Sequence, residues 1–207
     1  MSQLSEFHDS YASSYDRQAR EYHCFVPEIL FGLVFEYVKP GERLLDAGIG
    51  TGLSAAPFAK AGLKVYGIDV SPEMLNACRS KGIALELKQW DLSATPWPYA
   101  PGAFDHVVSC GLLHFLEGLE PVFSEAVRVT RAGGTFTFTT KAPPAGSTGV
   151  VRETIDGMQI FSHSPETVQQ LLRDHELEAL KEARVLVGNE RDQPDGLFRA
   201  YITRKKE

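Results

Sequence analysis

The sequence predicts an α/β fold: a doubly wound, mostly parallel sheet between two helical layers (α/β/α), closed by a C-terminal antiparallel hairpin. Three observations carry that expectation. Five short apolar runs of four to six residues recur between residues 44 and 140, and helical stretches near 54–61, 72–81 and 119–130 separate most of them. Strands that alternate with helices need right-handed crossovers and so form a parallel sheet. A glycine-rich segment directly follows the first run, and two extended runs, Leu177 to Val187 and Leu197 to Arg204, close the chain.

The elements follow in order. Residues 1–39 read as a helical cap: Leu4, Phe7, Tyr11 and Tyr15 recur at spacings of three and four, and Val26 to Val38 is apolar on most sides until Lys39-Pro40-Gly41 breaks it. The strands are Leu44 to Ala47, Lys64 to Asp69, Ala84 to Lys88, Phe104 to Ser109 and Thr135 to Thr140. Ser71-Pro72-Glu73 and Ser164-Pro165-Glu166 each supply a capping hydroxyl, a proline at the first helical position and an early acid. Ser54 is a candidate cap for the first crossover helix, which puts Pro57 at the third position, where a missing N–H does no harm. Residues 141–163 are an insertion: a loop, KAPPAGSTG, then two short runs around Asp156-Gly157, a strong hairpin signal. The insertion is expected to be a lid over the site or a plain edge hairpin. One domain over residues 1–207 accommodates all of this.

Composition narrows the function classes. Of 207 residues, 43% are hydrophobic and 23% charged, which supports one sizeable core. The net charge of −6 and the lack of a basic stripe argue against a nucleic-acid partner, whose phosphates need clustered Lys and Arg. No apolar stretch approaches a membrane span, and the polar start MSQLSEFHDS does not read as a signal peptide. Cys24, Cys78 and Cys110 match neither a zinc nor a redox spacing, so reduced thiols in the cytoplasm are expected and no metal site.

The most informative segment is Leu44-Leu45-Asp46-Ala47-Gly48-Ile49-Gly50-Thr51-Gly52, where a strand ends and a helix begins. In an open parallel sheet, ligands bind beyond the carboxyl ends of the strands. Glycines there let the backbone pass under a ligand and take up positive φ, while free N–H groups at the next helix start favour an anionic group. Asp69 ends the next strand, 17 residues after Gly52, where a carboxylate can accept both hydroxyls of a ribose. The alternative for Asp69, a cap on the following helix, competes with Ser71. Position 53 is Leu, which departs from the G-x-G-x-x-G of dinucleotide folds and disfavours a nicotinamide-dependent oxidoreductase. Asp46 would repel a pyrophosphate but suits a ligand bearing an ammonium group.

LLDAGIGTG followed by GIDVSPEML resembles the first two motifs of class I S-adenosylmethionine (SAM)-dependent methyltransferases. The resemblance continues through QWDL and FDHVVSCGLLHFLE to EAVRVTRAGGTFTFTT, about residues 40–140. It implies a Rossmann-like fold, SAM as cofactor with S-adenosylhomocysteine as product, and methylation of a small molecule by a monomer or homodimer. By position, Asp46 and Gly48 would hold the methionine end, with Gly50 and Gly52 completing the loop. Asp69 would take the ribose, and Val70 and Met74 would flank the adenine. Asp91, with Trp90 and Leu92 beside it, would read the adenine; Trp90 could equally be strand-end packing. Cys110 and Gly111 follow the fourth strand, where the family's backbone carbonyl meets the methionine amine. Tyr11 and Tyr15, before Asp16, match a stretch in which a tyrosine closes over the cofactor carboxylate, or else form one face of an amphipathic helix. His114, just past the fourth strand, is the candidate general base; the alternative is a packed histidine that orders the loop. His8 and His23 read as surface or interface residues. A non-catalytic SAM-binding protein is the alternative function.

Overall fold

Parallel neighbours in a sheet cannot be joined by a tight turn, so helices carry connections between them. In a computed structural model, which describes residues 3–155, 157–187 and 196–207, the chain opens with α1 (Gln3–Tyr11), α2 (Tyr15–Glu21) and α3 (Val26–Val34), followed by a short 3-10 turn (Phe35–Tyr37). Then come β1 (Arg43–Ala47), α4 (Ala55–Lys60), β2 (Lys64–Asp69), α5 (Pro72–Ser80), β3 (Glu86–Gln89), β4 (Phe104–Ser109), a second 3-10 turn (Leu113–Phe115), α6 (Glu120–Val129) and β5 (Thr130–Lys141). The insertion is the hairpin β6 (Val150–Ile155) and β7 (Met158–His163); α7 (Pro165–Asp174), β8 (Leu177–Leu186) and β9 (Leu197–Lys205) complete the fold.

The parallel strands lie in the order β3-β2-β1-β4-β5. The chain winds outward from β1 to β3, then returns to lay β4 beside β1, with Leu44 opposite His106 and Asp46 opposite Val108. That reversal is the topological switch point, and it opens a crevice at the carboxyl ends of β1 and β4. β9 pairs antiparallel with the other edge of β5, from Thr135↔Arg204 to Lys141↔Phe198, and carries β8. The β6–β7 hairpin joins only through the parallel pair Lys141↔Ser162. The Rossmann-like, mostly parallel sheet with its antiparallel C-terminal hairpin is the architecture the sequence predicts. Residues 188–195 of the loop between β8 and β9, and Asp156 of the β6–β7 turn, lie outside the described residues.

Each face of the sheet has its own core. On one, Phe123 of α6 meets Phe136 and Phe138 of β5 edge-on, at 5.3 and 4.9 Å between ring centroids, with Val168 and Leu172 of α7 closing the layer. On the other, Val26, Leu30 and Val34 of α3 pack with Phe58 of α4 and Leu75 and Cys78 of α5. These two layers make the α/β/α sandwich. Among the described residues no helix is long and apolar enough to cross a membrane.

Three local expectations need correction. The N-terminal helical run is broken at Ala12–Ser14, where the Ser14 N–H and hydroxyl both turn back to the Tyr11 carbonyl, at 2.9 and 3.3 Å. Serine hydroxyls offer such local alternatives to helix propagation. Ser71 and Ser164 cap their helices, accepting from Met74 N at 3.1 Å and Thr167 N at 3.3 Å. Ser54 does not: it has helical backbone angles, and its hydroxyl donates to Asp46 instead. Pro57 is still harmless at the third position of α4. The third strand spans Glu86–Gln89 rather than Ala84 to Lys88, and β5 starts five residues earlier than its apolar run. A glycine pair, Gly133-Gly134, lets that strand begin directly after α6; a Cβ on Gly134 would lie 2.3 Å from the Asp105 carbonyl oxygen.

Candidate active site

A cavity of about 960 Å³ occupies the switch-point crevice. Its floor is the loop after β1 (Gly48, Ile49, Gly50, Thr51, Leu53, Ser54). One wall is Asp69, Val70 and Met74, and another is the loop after β4 from Cys110 to Phe115, without Leu113. α1 and α2 cover it with Phe7, His8, Tyr11, Tyr15 and Gln18, and Phe198 of β9 closes the far side.

The glycines of the floor have separate jobs. Gly48, Gly50 and Gly52 all hold positive φ, at 85°, 52° and 87°. A Cβ on Gly48 would sit 2.6 Å from Leu112 Cδ1, and one on Gly52 would sit 2.9 Å from Cys78 Sγ, so both let neighbouring segments approach closely. A Cβ on Gly50 would meet nothing within 4 Å. Gly50 is therefore the point where the backbone faces open cavity, the cradle that a ligand fills.

Two carboxylates govern the electrostatics. Asp69 is 6% exposed; its oxygens accept from Gly50 N at 2.8 Å and Ser71 N at 2.9 Å, which ties the glycine loop to the start of α5. Burial raises its carboxyl above the ordinary range, against those hydrogen bonds. Each oxygen keeps a lone pair for a ligand hydroxyl. Asp46 is fully enclosed: Oδ2 accepts from Ser54, and Oδ1 has no partner. Burial pushes it up to about 7, and the nearby Asp69 charge pushes the same way. Asp46 and Gly52 lie just behind the lining, which Gly48, Thr51 and Ser54 form in front of them. A buried carboxylate oxygen left unpaired is costly, and it suits a cationic group brought in by a ligand. The donor set fits SAM: a carboxylate for the ribose, an open glycine, and an unpartnered acid near where an ammonium would lie.

The N-terminal helices are tied down over this floor. The Asp16 carboxylate accepts from Thr51 Oγ1 at 2.6 Å and from the Lys81 ammonium, which also donates to the Thr51 carbonyl at 2.8 Å. Asp9 accepts from Ser71 Oγ at 2.5 Å and Glu73 N at 3.3 Å. Tyr15 lines the cavity with its ring 37% exposed, and Tyr11 lines it too. The cover thus comes from α1 and α2. Among the described residues of 141–163, none lines the cavity.

Val70, Met74, Cys110 and Gly111 line the cavity as their motif positions imply. Trp90, Asp91 and Leu92 stand outside its lining. The exposed Asp91 carboxylate folds back onto Ser93, accepting from its N–H at 2.9 Å and its hydroxyl at 2.7 Å. Trp90 packs half-buried and donates to the Ala94 carbonyl at 3.0 Å, and Leu92 is buried in the α6–α7 core. Both bonds of Asp91 fall on one oxygen of this strand-end acid, Oδ1. Burial raises the Cys110 thiol well above its ordinary value, so it is no nucleophile.

His114 lines the cavity, with Nδ1 buried and unpartnered. Burial, followed by the neighbouring His8, Lys141 and His163, lowers it to about 3. Such an imidazole stays neutral at working pH but is a weak proton acceptor, which favours the packed, orienting role. His8, read from sequence as a surface residue, lines the cavity with Nε2 buried and unpartnered. Burial lowers its pKa too. The signal that could have found it is its place next to Phe7 on the face that carries Tyr11.

Residues 45–138 match a family model described as a methyltransferase domain. Malonyl-[acyl-carrier protein] O-methyltransferase of Serratia marcescens is 34% identical over 142 residues, covering 66% of this chain and 53% of that protein. Demethylmenaquinone methyltransferase of Tropheryma whipplei is 33% identical over 97 residues, covering 47% of this chain and 41% of that protein. The chain spans about half the length of these curated relatives. Among solved structures, Burkholderia thailandensis 1,6-didemethyltoxoflavin-N1-methyltransferase, with bound 1,6-didemethyltoxoflavin and S-adenosylhomocysteine, superposes with a TM-score of 0.75 at 18% identity, covering 98% of this chain and 87% of that one. Motifs, strand order and these likenesses agree on a methyltransferase domain over residues 45–138.

Proposed function

We propose that this protein binds SAM in the switch-point cavity and transfers its methyl group to a small-molecule acceptor in the cytoplasm. The observation that carries the reading is the floor of the cavity: an open glycine, Gly50, whose N–H is held by a ribose-suited carboxylate, Asp69, with the unpartnered Asp46 carboxylate close behind. Bound SAM supplies a methyl group on a sulfonium, a good leaving group without further activation. The chain then has to orient and desolvate. Asp69 and the glycine loop fix the cofactor, α1 and α2 exclude water, and the far wall aligns the acceptor; alignment alone accounts for much of such a barrier. The three cysteines are free thiols, in keeping with a reducing compartment. The curated relatives are named for small acceptors, a carrier-bound malonyl group and a demethylmenaquinone. Calorimetric titration with SAM and with NADH tests the cofactor: heat with NADH and none with SAM would end this reading. Release of S-adenosylhomocysteine across an acceptor panel then separates an enzyme from a binding protein.

A further inference from the structure

Part of the cavity wall is a run of five rings. Tyr11 and Phe7 of α1 lie 4.9 Å apart by ring centroids. Phe7 lies 6.3 Å from Phe115, Phe115 4.2 Å from His114, and His114 5.5 Å from Phe198. All five line the cavity. They come from three separate parts of the fold: the N-terminal cover, the turn after β4 and the last strand.

This wall has little charge to offer. Among the described residues no Lys or Arg lines the cavity, whereas Asp69 and Glu21 do. An anionic acceptor would enter without a counterion and be repelled. The rings bring few polar groups to the wall: the half-buried imidazole of His114, in contact with Phe115 and Phe198, the Tyr11 hydroxyl, and His8, 4.9 Å from Phe115. A polar group set among apolar walls fixes how a ligand is oriented, and His114 stands between Phe115 and Phe198 in the run of rings.

We infer that the methyl acceptor is a planar, uncharged arene bearing a hydroxyl or amino substituent, its ring packed on Phe7, Phe115 and Phe198 and its substituent paired with the His114 imidazole. This rests on the reading of the cavity as a SAM methyltransferase site. Ring stacking gives affinity for flat π-systems over saturated ones of the same size, and the imidazole fixes which way the ring faces.

The test uses the full chain and calorimetry at pH 7. SAM and S-adenosylhomocysteine are titrated first; if neither binds, the proposed function itself fails. With S-adenosylhomocysteine bound, 2-naphthol, 2-naphthyl phosphate, trans-2-decalol and naphthalene follow. The expected order puts 2-naphthol about tenfold tighter than the other three. His114→Phe should keep the wall, bring 2-naphthol and naphthalene to equal affinity, and leave SAM affinity unchanged. Phe115→Leu should narrow the preference for 2-naphthol over decalol. The inference is overturned if the phosphate binds as tightly as 2-naphthol, if decalol does, if none of the four binds, or if His114→Phe leaves the naphthol preference intact.

Discussion

Asp46→Asn should make the protein more stable and a poorer binder of SAM at once. Asp46 has 0% exposure and one oxygen without a partner. Its carboxyl is raised from 3.8 to about 7. At about 1.4 kcal/mol per pH unit, keeping it ionised above pH 7 costs the fold about 4 kcal/mol. The sign follows from the direction: a carboxyl raised on folding contributes stability below its unfolded value, near 4, and loses it as pH climbs to about 7. Asparagine has the same shape and no charge, and its carbonyl still accepts from Ser54. Its amide N–H group is left without a partner, which returns part of the gain. A net gain of about 2 kcal/mol at pH 8 corresponds to a Tm about 4–8 °C higher for a chain of this size. At pH 4 the gain should vanish, because the wild-type carboxyl is then already neutral. Thermal melts at pH 4, 6 and 8 measure this, and SAM titrations at pH 8 should show affinity lower by about tenfold or more. A variant that melts lower at pH 8, or that gains equally at pH 4, or that binds SAM as the wild type does, would refute the assignment of Asp46 as a strained acid kept for a cationic ligand.

Three further outcomes follow from the same floor and wall. Asp69→Ala should weaken SAM binding by about 2–4 kcal/mol, or about 30- to 1,000-fold, through lost charge-assisted hydrogen bonds. It also frees Gly50 N and Ser71 N, so melting should fall modestly while far-UV dichroism is kept; unchanged SAM affinity would rule out the ribose role. Gly50→Val should abolish SAM binding, because its φ of 52° disfavours a β-branched residue and the new side chain would project into the open cradle; wild-type affinity in a titration would mean that the loop does not pass under the ligand. With His114 lowered to about 3, wild-type turnover should show no imidazole limb between about pH 5 and 8. His114→Ala should then raise KM for the acceptor more than it lowers kcat; a drop of about 10²-fold in kcat alone would restore the general base.

Much of the floor was legible as sequence because local rules govern it. Gly48, Gly50 and Gly52 must be glycine for backbone reasons, and Asp46 and Asp69 end strands whose apolar runs mark them. The parallel character of the sheet through β5 follows from the alternation of strands and helices. Where a side chain had competing partners, spacing could not choose: the Ser54 hydroxyl turned to Asp46 rather than to its own helix, and Asp91 Oδ1 accepts from Ser93. What ties the cover down was hidden for a similar reason. Asp9 and Asp16 are ordinary surface acids until Ser71, Thr51 and Lys81, at least 30 residues away, meet them and draw α1 and α2 over the site. The aromatic wall is the clearest division of labour. Each ring is visible in the sequence, but Phe7, Phe115 and Phe198 become one surface only when the N-terminal cover, the turn after β4 and the last strand converge. The sequence by itself determined the fold class, the cofactor loop and its acids, because those depend on local backbone conformation and on charge placed at strand ends. Only the tertiary structure decided the shape of the acceptor pocket and the neutrality of His114, because both depend on which distant groups exclude water around them.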